Sequence, residues 1–127
     1  MKLFVLDSSF SRSGYNKTCI TYLGIIKSKE NKSFKILSWG RIWGTNRHTT
    51  GVILVYDSSN EYIGKYILGS FYDLPNKIKN NRLYFFKKKN SNCNSFLITK
   101  IDFNDGPPKE IYIKCMGNLG DIYSFSK

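Results

Sequence analysis

The segment Arg47-His48-Thr49-Thr50, preceded by Thr45 and Asn46, places the chain's one histidine beside an arginine. An imidazole can serve as general acid or base near neutral pH, and a guanidinium can stabilise the charge on a pentavalent phosphate. The pair therefore fits a small metal-free ribonuclease centred on His48. No second proton-transfer group accompanies it, and a polar loop between strands is the plainer reading. A single histidine also excludes mechanisms that need two imidazoles and the usual zinc sites. No Gly-x-Ser-x-Gly elbow supports a serine nucleophile. Neither a Walker loop nor a dinucleotide fingerprint is present, so no cofactor is expected. Asp102-Phe-Asn-Asp-Gly begins like a calcium loop, but its second pair of ligands is displaced and no Glu stands at the twelfth position. No metal is expected, and the chain is read as a non-enzyme.

Asp7, followed by Ser-Ser-Phe-Ser-Arg-Ser-Gly, ends an apolar run before a small-residue loop. A magnesium-dependent nuclease can carry such a carboxylate at a strand end, but it needs further carboxylates held by helices. No segment here has helical spacing, so Asp7 is read as opening an Asx turn.

A different chemistry comes from Trp39, Arg41 and Trp43, which alternate on one face of an extended segment with Arg47 and His48 just beyond. Alternating aromatics and cations can hold single-stranded nucleic acid or a nucleotide by stacking and phosphate contacts. The same residue types dominate protein–protein hot spots. They could also fill one layer of a core. Lys87, Lys88 and Lys89 mark a solvated hairpin end that could supplement either binding surface.

Twenty Lys and Arg against nine Asp and Glu give a net charge of +11, which attracts polyanions or an acidic protein. Sixteen of those cations are lysine and only Arg12, Arg41, Arg47 and Arg82 are arginine. Bidentate reading of guanine or phosphate prefers the guanidinium fork, so the lysine bias favours an acidic protein partner. Twelve asparagines point to a Lys/Asn/Ile compositional bias that accounts for part of the charge.

The elements that must position these residues are strands. β-branched and aromatic residues dominate residues 2–7, 18–28 and 33–43, with a polar turn at 29–32. Within 33–43, Phe34, Ile36, Ser38, Gly40 and Ile42 share one face and Lys35, Leu37, Trp39, Arg41 and Trp43 the other. Gly51–Tyr56 and Glu61–Leu68 flank Asp57-Ser-Ser-Asn as a hairpin. Residues 69–81 form the longest connection, with Asp73-Leu-Pro-Asn and Asn80-Asn81 as breakers. Further strands are expected at 82–88, 95–103, 109–116 and 121–125, separated by turns at 90–94, 104–108 and 117–120. The pattern predicts one all-β domain over residues 1–127: an antiparallel sandwich or up-and-down barrel of about eight strands joined by hairpins.

At 127 residues and 14.7 kDa the chain suffices for one domain that buries about two-thirds of its unfolded surface. Hydrophobic residues at 41% and charged residues at 23% exclude a disordered chain. No apolar run approaches the roughly 20 residues of a membrane-spanning helix. The apolar start is too short for a secretory core, so the sequence as it stands is read as cytoplasmic, with export after leader removal as the alternative. Cys19, Cys93 and Cys115 fit no metal motif and are read as free, partly buried thiols of a reducing compartment, with one disulfide plus a free thiol in an oxidising compartment as the alternative. The function expected is a non-catalytic, inhibitor- or immunity-type binding protein with an acidic partner. A single-stranded nucleic-acid binder using Trp39/Arg41/Trp43 is the alternative, and the His48 ribonuclease comes third.

Overall fold

The computed structural model describes residues 2–11, 14–87, 97–116 and 119–127, with side chains over 16–86, 97–115 and 120–127. Ten strands account for the fold: β1 (Lys2–Ser11), β2 (Gly14–Lys27), β3 (Ser33–Gly44), β4 (His48–Asp57), β5 (Tyr62–Leu68), β6 (Lys77–Lys79), β7 (Arg82–Lys87), β8 (Leu97–Ile101), β9 (Glu110–Met116) and β10 (Leu119–Ser126). Among the described residues one 3₁₀ turn, Phe71–Asp73, interrupts them. All the strand pairs are antiparallel. One sheet has seven strands in the order β1-β2-β3-β4-β5-β10-β9, and the other has three in the order β6-β7-β8. The expected all-β, hairpin-linked domain is therefore present, as two open sheets in sandwich packing rather than a closed barrel. Among the described residues no helix is long and apolar enough to cross a membrane.

Turn chemistry explains the meander. Asp57 closes the β4–β5 hairpin by accepting from the backbone N–H groups of Ser59 (2.8 Å) and Glu61 (2.9 Å). Asn80 and Asn81 hold φ of 52° and 60° between the paired residues Lys79 and Arg82. Two consecutive left-handed residues form the tight hairpin turn whose twist suits antiparallel strands. The Asn81 side chain also accepts from Lys27 N (2.7 Å) and donates to Lys27 O (2.8 Å), tying the small sheet's hairpin to the end of β2.

The strand limits differ from expectation at the N-terminus. Asp7 does not open a turn: β1 bulges between Val5 and Asp7 and continues, with Asp7 paired to Thr18 and the ladder reaching Ser11 and Gly14. Backbone pairing with β2 outweighs the weak strand preference of serine and aspartate. The polar stretch 44–50 is likewise shorter than expected, because β4 already begins at His48. The expected turn at 90–94 lies outside the described residues.

The core lies between the sheets. Ile26, Phe34, Ile36, Ile53, Val55, Tyr66 and Leu68 from the large sheet meet Leu83 and Phe85 of β7, together with Phe103, Ile111 and Ile113. The Tyr66 hydroxyl donates to the Pro108 carbonyl at 2.5 Å, and its ring packs on Phe125 with centroids 5.0 Å apart. Cys19 is a buried free thiol as expected, but Cys115 is disulfide-bonded, so the alternative of one disulfide plus a free thiol replaces the reading of free thiols throughout.

Burial raises the Tyr66 phenol well above its ordinary value, and burial, with the Asp73 and Asp121 carboxylates nearby, pushes Tyr123 up to about 12. A free tyrosine titrates near 10, so the folded state holds these protons more tightly than the unfolded chain. Their contribution to stability is complete below about pH 10 and is lost as pH rises through the folded values. Chemical denaturation between about pH 9 and 12 should show falling midpoints, with a flatter profile for Tyr66→Phe and Tyr123→Phe.

An added Cβ at Gly64 would collide with the Phe125 ring and sit 2.8 Å from Ser126 O. Only Phe125 and Ser126 pair β10 with β5, so little else holds that joint. Gly64→Ala should cost about 1–3 kcal/mol in urea unfolding through overpacking. Gly69→Ala, whose Cβ meets nothing closer than 3.6 Å, should leave the midpoint nearly unchanged.

Candidate binding face on the seven-stranded sheet

β3 alternates strictly: Phe34, Ile36, Ser38, Gly40 and Ile42 are buried, and Lys35, Leu37, Trp39, Arg41 and Trp43 are half-buried. The first set faces the small sheet and the 3₁₀ turn, where Gly40 and its partner Gly51 leave room for Phe71, Leu74 and the Ser70 carbonyl. The second set faces away. Register extends it, placing Asn16, Thr18, Ile20 and Tyr22 of β2 opposite Trp43, Arg41, Trp39 and Leu37. On the other side His48, Thr50, Val52, Leu54 and Tyr56 of β4 stand opposite Trp43, Arg41, Trp39, Leu37 and Lys35. Lys65 and Ile67 of β5 complete the row beside Leu54 and Val52.

The centre of this face is aliphatic and aromatic: Ile20, Leu37, Trp39, Val52, Leu54 and Ile67, the last 55% exposed. At one end the Arg41 guanidinium lies 5.2 Å from the Trp43 ring centroid, and its Nε donates to Asn16 Oδ1 at 3.3 Å. The Trp43 and His48 rings are 5.8 Å apart and tilted by 37°. At the other end Tyr22, Lys35, Leu37, Tyr56 and Asn60 line a shallow depression of about 400 Å³. The Lys35 ammonium donates to Asn60 Oδ1 there, and Tyr62 packs edge-on against Tyr56 at 5.7 Å. On β2–β5 this face carries Lys35, Arg41 and Lys65 and no aspartate or glutamate.

The structure thus brings Trp39, Arg41, Trp43 and His48 onto one surface. Arg47 sits just beyond it, in the turn before His48, with φ 51° and its N–H donating to Gly44 O at 3.3 Å. The lysine run does not join them. Lys87 ends β7 in the opposite layer, and Lys88 and Lys89 lie outside the described residues. Trp39 and Trp43 do not fill a core layer, because the buried positions of β3 are those of the other parity. Among the described residues no group of three or more His, Cys, Asp or Glu is placed to hold a metal ion.

Sequence reasoning missed Ile20, Tyr22, Val52, Leu54, Tyr56, Tyr62, Lys65 and Ile67 as part of this surface. Alternation within a strand orders residues along that strand only. Which strand lies alongside, and in what register, had to come from the pairing.

Both tryptophans of the chain report on this face. An anionic quencher is attracted to a net cationic surface, and a cationic one is repelled. Relative to its quenching of free N-acetyltryptophanamide, iodide should therefore quench the protein's tryptophan emission more strongly than caesium does, and the difference should shrink as salt is raised. Equal ratios to the free fluorophore for the two ions would show that the face has no net positive field.

Comparisons with protein-family models, with curated proteins and with solved structures find no match to this chain.

Proposed function

We propose that this protein is a non-catalytic binding protein of inhibitor or immunity type, which docks on an acidic protein partner through the outer face of β2–β5. One observation carries the reading: an uncovered apolar centre built around Trp39 is bordered by Lys35, Arg41 and Lys65, with no aspartate or glutamate among the outward positions of β2–β5. Protein interfaces combine an apolar core with a polar rim, and their energy concentrates in buried Trp, Tyr and Arg. Rim charges of one sign steer a complementary partner and reject a like-charged one.

Single-stranded nucleic acid fits this surface less well. Its middle is aliphatic, with Ile20, Leu37, Val52 and Leu54 offering no ring for a base to stack on. Arg41 is engaged with Asn16 and Trp43. In this reading His48 is a rim residue against Trp43, with no acid–base role.

The test is parallel affinity isolation with the wild-type chain, Trp39→Ala, Leu37→Glu and the opposite-face control Ile98→Ala. The partner should be an acidic protein held by wild type and by Ile98→Ala. Trp39→Ala should weaken it about 30-fold or more, as for a central hot spot. Leu37→Glu should abolish binding by placing a carboxylate against an acidic surface. A partner that binds all four proteins equally would refute this docking face.

A further inference from the structure

The three-stranded sheet turns its own outer face to the side opposite Trp39 and Trp43, because its inward residues Leu83 and Phe85 fill the shared core. On that outer face Tyr84 of the central strand stands directly opposite Lys77 on β6 and Lys100 on β8. Both ammonium groups lie over its ring, Lys77 Nζ at 5.8 Å and Lys100 Nζ at 5.5 Å from the centroid. One step along, Arg82 pairs with Lys79, and both are exposed. One step the other way, Phe86 pairs with Ile98, at 39% and 55% exposure. The outward positions of β6–β8 include no aspartate or glutamate. Asp102, just past β8, accepts from the Asn104 N–H at 3.1 Å.

We propose that this face binds single-stranded nucleic acid, with Tyr84 as the stacking platform and Lys77 and Lys100 as phosphate contacts. Every base has a π-face that can stack on an aromatic ring, so the contact tolerates any sequence, and flexible lysines track a backbone without reading sequence. Two ammonium groups now crowd one ring. A base stacking on Tyr84 takes that position and releases them to the phosphates on either side of it. Arg82 and Lys79 continue the cationic track, and Phe86 supplies a second ring on the same strand, about 6.6–6.8 Å from Tyr84. That spacing is about twice the 3.4 Å rise per nucleotide of a stacked strand. A duplex hides its base faces and cannot use either ring. The site is independent of the acidic-partner reading, which concerns the other layer.

The experiment follows anisotropy of a labelled oligothymidylate with the full chain from about 50 to 200 mM salt, the range over which phosphate contacts show. Tryptophan emission is recorded in the same titration. Binding should weaken with salt, and emission should stay unchanged, because both tryptophans lie on the far face. Tyr84→Leu should weaken binding roughly 5- to 150-fold, the range for loss of one base stack. Tyr84→Phe should bind nearly as wild type. The double variant Lys77→Gln/Lys100→Gln should lower the salt slope by about 1.4, or about 0.7 for each phosphate contact removed from a single strand. Trp39→Ala should bind the oligonucleotide normally, which separates this site from the proposed protein interface. The assignment is overturned by no binding at the lowest salt, by quenched tryptophan, or by equal affinity for a duplex of the same length. It is also overturned if inorganic polyphosphate competes fully while Tyr84→Leu changes nothing, since charge alone would then account for binding.

Discussion

A seven-stranded sheet has two faces, and among the described residues the further structure covers only one. The cover consists of three short strands and one 3₁₀ turn, seated on the face where β3 shows Phe34, Ile36, Ser38, Gly40 and Ile42. Close seating requires the cross-strand pair Gly40 and Gly51, where side chains would strike Phe71, Leu74 and the Ser70 carbonyl. With that face filled, the residues of opposite parity on β2–β5 are left half-exposed. The surface chemistry of the molecule follows from this one constraint.

The two outer faces differ because the sheets differ. The large sheet presents a broad aliphatic and aromatic field with cations toward its margins, a shape suited to excluding water against another folded surface. The small sheet is too narrow for that. Its outer face is a short row of rings with lysines on either side, and the Lys77–Tyr84–Lys100 arrangement sets cations directly against an aromatic. The outward positions of β2–β5 and of β6–β8 carry no aspartate or glutamate, so the positive net charge of +11 is felt at both places.

Asparagine gains a conformational meaning from the structure. Among the described residues, four of the five non-glycine residues with left-handed backbone are Asn31, Asn60, Asn80 and Asn81, each in a turn. Asparagine tolerates that conformation better than most residues, and tight hairpins depend on it. What reads in composition as bias therefore also supplies the turns of the meander. Asn81 adds a tertiary role through its paired hydrogen bonds to Lys27.

The all-β class, the hairpin order and the two faces of β3 were legible in the sequence, because strand periodicity and turn residues act over a few neighbouring positions. The partition of residues 33–43 into Phe34/Ile36/Ser38/Gly40/Ile42 and Lys35/Leu37/Trp39/Arg41/Trp43 matches the structure position by position. Extension of β1 through Asp7 was not legible, since pairing with a neighbour overrode local preference there. Only the tertiary structure decided which face of β3 is covered, which strands supply Tyr22, Tyr56 and Lys65 beside it, and that Lys87 belongs to the other layer. It also decided that Lys77, Tyr84 and Lys100 meet, from three strands whose sequence shows no motif. Those outcomes depend on register and sheet packing between distant segments, where the free energy lies in contacts that no local window contains.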